Sequence, residues 1–548
     1  MLASAISLFP LKRCVDDEKA PRLAFSIALH VSVSFSINAT ARSTDRGHQI
    51  HEDTGAKLFR LHTPVYSNEQ MSEPSESANQ ASRPPVTPIY ILRGHAAPIH
   101  ALHLFNQNLR LISADAEGWI VVWDLVMKRP VAAWKAHEGA ILEVKGFTSA
   151  AREETDVYTY VCAYSSIKQW LTSRLRHGRD HKLRVWRIRR QDEEVLQKTL
   201  PVDIGEGCQG NTASQPWLVH SLPVNALNFC AFSLLFLRES AGAGNSQGVN
   251  ATGKSADATP QDADADAPRS PALIAVPNAL NSGAIDLFHL PLERRVCTIP
   301  ADTTTDTGMV MAVRLFTGPP GDLYVAAAYE DGHVMLFARR GLVTEQDVLQ
   351  GTTPSWKWEK LYACRPHSQP VLSIDVFPQG DYFLSSSADA LLVKHPIPRL
   401  GHGGHPSANR PEEAVLKTVN TKHAGQQGIR IRSDGKIFAT AGWDSRIRVY
   451  SCKTMKELAV LKWHKEGCYA IAFADVPTAA KSNDEPAYDS SAGGEGSDSQ
   501  DSHQQVTTRG DKAYTLAAVQ HQRNQKVQAT HWLAAGSKDG KISLWDIY

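Results

Sequence analysis

No two of the eight cysteines stand in a Cys-x-x-Cys pair: Cys14, Cys162, Cys208, Cys230, Cys297, Cys364, Cys452 and Cys468 are scattered singly. Zinc ribbons and thioredoxin-like redox sites have no support, and lone thiols in a chain of this size read as reduced and mostly buried, as in cytosol or nucleus. No apolar run reaches the ~20 residues that span a bilayer, so no membrane partner is expected. Neither sign of charge is in excess, since 58 basic and 57 acidic residues leave a net charge of +1. Nucleic-acid binders usually carry a basic excess on one face, so direct nucleic-acid contact is not expected, a local patch aside. Also missing is any Ser/His/Asp order, acid pair or oxyanion motif, which points to a non-enzyme without cofactor or metal.

The first seventy residues contain Leu23 to Ile37, a loosely signal-like apolar stretch behind Lys12, Arg13 and Arg22. His30 and several serines interrupt it, and no convincing cleavage site follows. Met71 opens a low-complexity leader that runs into the first periodic segment, which makes Met71 the expected start. Residues 1–86 are therefore expected to be a disordered or mis-annotated leader, with the ordered domain at 87–548.

What the chain does have is a repeat. Alternating segments ending in an aromatic or apolar residue recur at Ile99–Phe105, Ile141–Phe147, Val224–Cys230, Val310–Phe316, Val371–Phe377 and Cys468–Ala474, with a polar ending at Gly428–Asp434. Period-two alternation predicts a half-buried strand at each. After each comes a run of small residues, a polar turn, and a strand carrying a large residue six positions beyond the turn residue. These pairs are Glu117/Trp123, Asp180/Trp186, Ser282/Phe288, Asp331/Phe337, Asp389/His395, Asp444/Tyr450 and Asp539/Trp545. Asp-Gly at 331–332 and 539–540 signals a tight hairpin, where Gly supplies positive φ. His95, His137, His220, His367 and His464 each stand four residues before an alternating strand; His423 lies further away, and the fourth copy has no histidine.

Gly94-His95 with Trp123-Asp124, and Trp545-Asp546, resemble the WD-repeat family. The resemblance implies an all-β, seven-bladed WD-repeat β-propeller, in which histidine, turn aspartate, Ser/Thr and tryptophan form a hydrogen-bonded tetrad bracing each blade. The expected bracing residues are His95, Glu117, Trp123, His137, Asp180, Trp186, Asp331, Asp389, Asp444, His464, Asp539 and Trp545. Glu117 replaces aspartate and Ala136 replaces glycine, and the middle blades carry Phe, His or Tyr for Trp, so those blades are expected to rely on hydrophobic packing. At about 40–45 residues per repeat the ordered chain accommodates seven blades. The last blade lacks an outer strand, and Pro88–Leu92 is free to supply it, closing the ring.

Two segments, about 239–271 and 475–529, are rich in Gly, Ser, Ala, Asp and Gln and are expected to be disordered insertions, with phosphorylatable acidic serines from Ser490 to Ser502. Residues 161–175 have neither strand alternation nor linker composition and read as an atypical insertion, such as a retained intron. Gly248–Ser255 fits the P-loop pattern but follows no buried strand and opens no helix, so it is a chance match. His395, His402 and His405 lack carboxylate or Cys partners, and Asp262, Asp264 and Asp266 lack the Gly and distal Glu of a calcium loop.

Longer phrases are more specific: PTPIYILRGH, DAEGWIVVWDL, WKAHEGAILEV, HGRDHKLRVW, VPNALNSGAIDLFHLP, FATAGWDSRIRVY and AAGSKDGKISLWDIY. Together they resemble the fungal ASTRA-associated WD-repeat family over roughly residues 85 to 548, insertions apart. That resemblance implies a nuclear (or also cytoplasmic) scaffold linked to chromatin remodelling and to maturation of phosphatidylinositol-kinase-related kinases. The implied partners are Triple-T-type cochaperones, such a kinase and RuvB-like ATPases. The alternative is a propeller that reads histone or phosphopeptide ligands, which needs an aromatic cage or Arg cluster at one end of the channel. Trp119 and Trp443 are candidate anchors on the rim, with packing between blades as the competing explanation.

Overall fold

Seven four-stranded antiparallel sheets carry the ordered chain. This computed structural model describes residues 87–547 apart from 150–153, 162–180, 204–213, 225–228, 238–270, 319–320, 342–355, 401–413 and 477–515. Innermost strands of blades 1 to 7 are Ile99–Phe105, Ile141–Ser149, Ser233–Phe236, Val310–Thr317, Val371–Val376, Gln426–Ile431 and Cys468–Phe473. Six coincide with the alternating segments. The exception is blade 3, where the innermost strand lies beyond Val224–Cys230, part of which falls outside the described residues. His220 sits instead in the outer strand of blade 2, hydrogen-bonded to Glu293 at 2.8 Å.

The ring closes as the hydrophobic pattern requires. Tyr90–Arg93 pairs with Lys541–Asp546, with Tyr90 opposite Leu544 and Leu92 opposite Ile542. The start of the ordered chain thus supplies the outer strand of blade 7 and covers an otherwise open edge. Leu92 is buried.

Apolar side chains form seven clusters, and each joins two consecutive blades, the last uniting blades 7 and 1 through Leu92, Trp532, Leu544, Ile99 and Trp123. Because the sheets are covered on both faces, the second strand is buried along its whole length in blades 3 to 7, as at Leu323–Tyr329, Tyr382–Ser387 and Trp532–Ser537. Small residues there allow close approach: a Cβ on Gly536 would come within 2.5 Å of Ile99 Cγ2 in blade 1. Outer strands such as Lys417–Asn420 are mostly solvated.

Two inserted pieces are ordered. Within 475–529, expected to be disordered, Leu516–Ala529 forms helix α1. Its Ala, Gln, Lys and Arg content favours a helix without an apolar stripe, and Val527 O receives Trp532 Nε1–H at 2.9 Å, fixing the helix end to blade 7. Between the last two strands of blade 2, short 3₁₀ turns at Arg190–Glu194 and Pro201–Asp203 reach back over blade 1. Gln197 O accepts from Ala133 N at 2.7 Å and Gly94 O from Val202 N at 3.0 Å, while Leu196 is buried. The other insertions, the P-loop-like stretch, His402 and His405, Ser490 to Ser502 and residues 1–86 lie outside the described residues.

Candidate functional site

In blade 1 four side chains form a relay. Trp123 Nε1–H donates to Ser113 Oγ at 2.8 Å, Ser113 Oγ meets His95 Nε2 at 2.7 Å, and His95 Nδ1 meets Asp115 Oδ2 at 2.7 Å. The donors and acceptors match if Nδ1–H points to the carboxylate and the serine hydroxyl donates to Nε2. The acid is therefore Asp115, which is fully buried and also accepts the N–H groups of Glu117 and Trp119. This corrects the expected role of Glu117, whose own side chain is exposed. Asp115 lies at the end of its strand, closer to His95 than the turn position two residues on.

Blade 5 is also hydrogen-bonded, contrary to the expectation that a blade without tryptophan relies on hydrophobic packing. His367 Nδ1 lies 3.1 Å from Asp389 Oδ2, and Ser385 Oγ is 2.8 Å from both His367 Nε2 and His395 Nε2. His395 takes the tryptophan's place by donating Nε2–H, and Tyr362 O–H, from the outer strand of blade 4, satisfies His395 Nδ1 at 2.8 Å. Burial, with His367 beside it, holds the His395 pKa well below the usual histidine value. Burial alone raises the Asp389 pKa, but the His367 hydrogen bond and charge and two backbone N–H groups hold it below the carboxylate norm.

Other blades carry parts of this arrangement. In blade 7, Ser543 Oγ lies 2.7 Å from His464 Nε2 and accepts Trp545 Nε1–H at 2.8 Å. Asp539 Oδ1 stands 4.0 Å from His464 Nδ1, too far for a hydrogen bond, and pairs with Lys541 at 2.6 Å. In blade 2, His137 Nε2 meets Thr159 Oγ1 at 2.6 Å, while the buried Trp186 indole packs edge-on against Trp134. Asp180 lies outside the described residues. In blade 6, Asp444 is held by Arg448 at 2.6 and 3.1 Å, and His423 stays half exposed at 3.6 Å. In blade 4, Asp331 binds His333 within its own turn at 2.5 Å.

Blade 3 has Val276 and blade 4 Ala327 at the hydroxyl position, and apolar side chains surround both: Ile274 and Phe288 beside Val276, Met335 and Phe337 beside Ala327. Here the expected reliance on packing fits the contacts. The turn of blade 3 uses Asn278 instead: its Oδ1 accepts the N–H of Leu280 and Asn281, and its Nδ2 donates to Asp286. Those bonds account for the VPNALNSG phrase.

Charged side chains in the middle of the ring escaped the sequence reading. The strand ladders place His103, Lys145, Ser233, Arg314, Asp375, Arg430 and Ala472 at one level of the seven innermost strands. Arg430 of blade 6 donates to Glu143 of blade 2 at 3.0 Å, three blades away and the greatest separation a ring of seven allows. Backbone N–H groups of Gly146 and Ile431 are taken by His103 Nδ1 and Asp375 Oδ2 of the preceding blades, at 3.0 and 2.7 Å. Burial opposes the Glu143 charge, but Lys145, Arg430 and Arg314 keep its pKa below normal. The alternating pattern marks these residues only as polar members of an inner strand; their convergence needs the closed ring.

The rim tryptophans are half buried. Trp443 donates to Gln427 at 2.9 Å and its ring lies against Gly425, where no Cβ fits. Among the described residues no cysteine forms a disulfide, and burial lifts the thiol pKa of Cys297 and Cys452 to about 12.

Seven sheets joined face to face, with the full His, Asp, Ser and Trp tetrad in blade 1 and variants of it in blades 5 and 7, define a WD-repeat β-propeller. The family model described as "WD domain, G-beta repeat" matches residues 86–124, 358–393, 416–451 and 516–546. The last match takes in α1, whereas the innermost strand of that blade is Cys468–Phe473, on the other side of the insertion. The chain is 62% identical over 469 residues to "ASTRA-associated protein 1" of Aspergillus flavus, covering 85% of this chain and 98% of the relative. It is 60% identical to that of Aspergillus niger (86% and 100% covered) and 30% identical to that of Schizosaccharomyces pombe (71% and 93%). The chain belongs to the ASTRA-associated protein 1 family.

Proposed function

We propose that this chain is a non-enzymatic scaffold subunit of the ASTRA assembly, acting in the nucleus and also in the cytoplasm. In this reading it serves chromatin remodelling and the maturation of phosphatidylinositol-kinase-related kinases, with Triple-T-type cochaperones, a kinase client and RuvB-like ATPases as partners. The observation that carries it is the 62% identity to a relative named for association with ASTRA, over 98% of that relative's length. Its physical support is a rigid closed ring whose recurring His and Asp side chains brace blades. Each face and side of such a ring offers area enough for a standard protein interface.

Affinity purification from native cells with mass spectrometry tests the reading. Recovery of kinase-maturation cochaperones supports it. An unrelated partner set, such as ubiquitin-ligase subunits, overturns it.

A further inference from the structure

Among the described residues in the middle of the ring, three cations touch only two carboxylates. Within 4 Å, Lys145, Arg314 and Arg430 meet only the carboxylates of Glu143 and Asp375, while Asp475 acts on Lys145 from farther away. Arg430 is well engaged, by Glu143, Ser373 Oγ and Ile429 O. The other two are not. Lys145 Nζ has Glu143 Oε1 at 3.6 Å as its nearest carboxylate and makes no hydrogen bond among the described residues. Arg314 contacts Ile374 O at 3.0 Å and Asp375 at 3.4 Å, both through Nε. Its two terminal nitrogens make no hydrogen bond among the described residues. Both side chains remain 16–17% exposed, so their heads are reachable from inside the ring.

A surplus cation in a confined, weakly screened place is costly unless something neutralises it. Burial, joined by the charges of Arg430 and Arg314, brings the Lys145 pKa down to about 8 against the pull of Glu143 and Asp375. The ammonium brings three N–H donors and the free end of the guanidinium four, aimed from blades 2 and 4. A carboxylate presents two oxygens in one plane, fewer acceptors than these seven donors can use. A tetrahedral oxyanion presents oxygens in several directions and at least one negative charge.

We propose that the axial channel binds one oxyanion of the phosphate class between Lys145 and Arg314, either free phosphate or a phosphorylated side chain entering along the axis. The site goes beyond the scaffold reading and does not rest on it, because partners can be recovered whether or not the channel takes an anion.

Titration calorimetry of the full chain with inorganic phosphate at low salt tests it. Saturable binding is expected, weakened about tenfold by Arg314→Gln or by Lys145→Gln, as for loss of a charged hydrogen bond. The exposed Lys465→Gln is expected to leave it unchanged. Since Arg314→Gln also removes the contact to Ile374 O, Lys145→Gln, which breaks no hydrogen bond, guards against misfolding; circular dichroism and melting check both. No saturable heat with phosphate, or equal affinity in all three variants, overturns the site. A phosphoserine peptide that binds more tightly than phosphate, with its unphosphorylated form silent, assigns the site to a phosphorylated polypeptide. A peptide that binds no better assigns it to the free anion.

Discussion

Ser543 stands directly across the ladder from Ala535, and its hydroxyl does in blade 7 what Ser113 does in blade 1. Ser113 lies on the second strand of its blade, opposite Val121; in blade 7 the small and hydroxyl residues have exchanged strands. Both arrangements bring Oγ between a histidine and a tryptophan, because paired residues on neighbouring strands project on the same side.

Ser543→Ala leaves two buried nitrogens, on His464 and Trp545, without their shared partner. It is expected to destabilise the protein by about 1–3 kcal/mol in urea unfolding. Adding Ala535→Ser should recover part of the loss. If Ser543→Ala is neutral, or the second change makes matters worse, the exchange is not functional.

Tyr362→Phe removes the hydroxyl that satisfies His395 Nδ1, and an expected cost of about 1–2 kcal/mol follows. In a double-mutant cycle the penalty should vanish once His395 is already phenylalanine. A full penalty in that background would show that Tyr362 contributes through packing alone.

Gly540 has φ of +72°, and a Cβ there would sit 2.3 Å from His95 O in the next blade; Gly332 repeats the relation with His367 O at 2.1 Å. Gly540→Ala and Gly332→Ala are therefore expected to cost more than the ~1 kcal/mol of an unfavourable φ alone, because the next blade must also shift. Thermal melting would show a drop of several degrees in each. An unchanged melting temperature would contradict the close approach.

Burial holds the pKa of His464 and His100 near 4, and those of His103 and His395 well below the usual 6.5. A histidine depressed in the folded state takes up its proton first in the unfolded chain. Its stabilisation is complete above about pH 6.5 and is lost as pH falls from there towards 4. For His464 alone the loss is of order 3 kcal/mol. Urea midpoints are expected to fall steeply between pH 6.5 and 4.5, and more gently in His464→Gln. A flat profile across that window would show that these rings are not held neutral.

Much of this was readable from residue order because the repeat states the same rule several times. Alternation from Ile99 to Phe105 marks a strand in any context, since period two is local geometry. A last blade lacking one strand implies that PIYIL must fill it, and Tyr90–Arg93 does. Where the reading slipped, the cause was spatial. Blade 3 has neither the Gly-His nor the Trp signal, so Val224–Cys230 was a plausible inner strand until the pairing of Ser233 with Ala275 moved it downstream. Helix α1 carries no apolar stripe to betray it.

Residue order by itself determined that seven short sheets form, where most of their strands lie, and that the two ends of the ordered chain meet, because each of these depends on local periodicity and on leaving no strand unpaired. Tertiary structure alone decided which acid reaches which histidine, so that Asp115 acts and Glu117 does not, and which blade lends Tyr362 to its neighbour. It alone brought Arg430 to Glu143 across 287 positions of sequence. A hydrogen bond depends on angstroms between side chains from different sheets, and those distances exist only once the ring has closed.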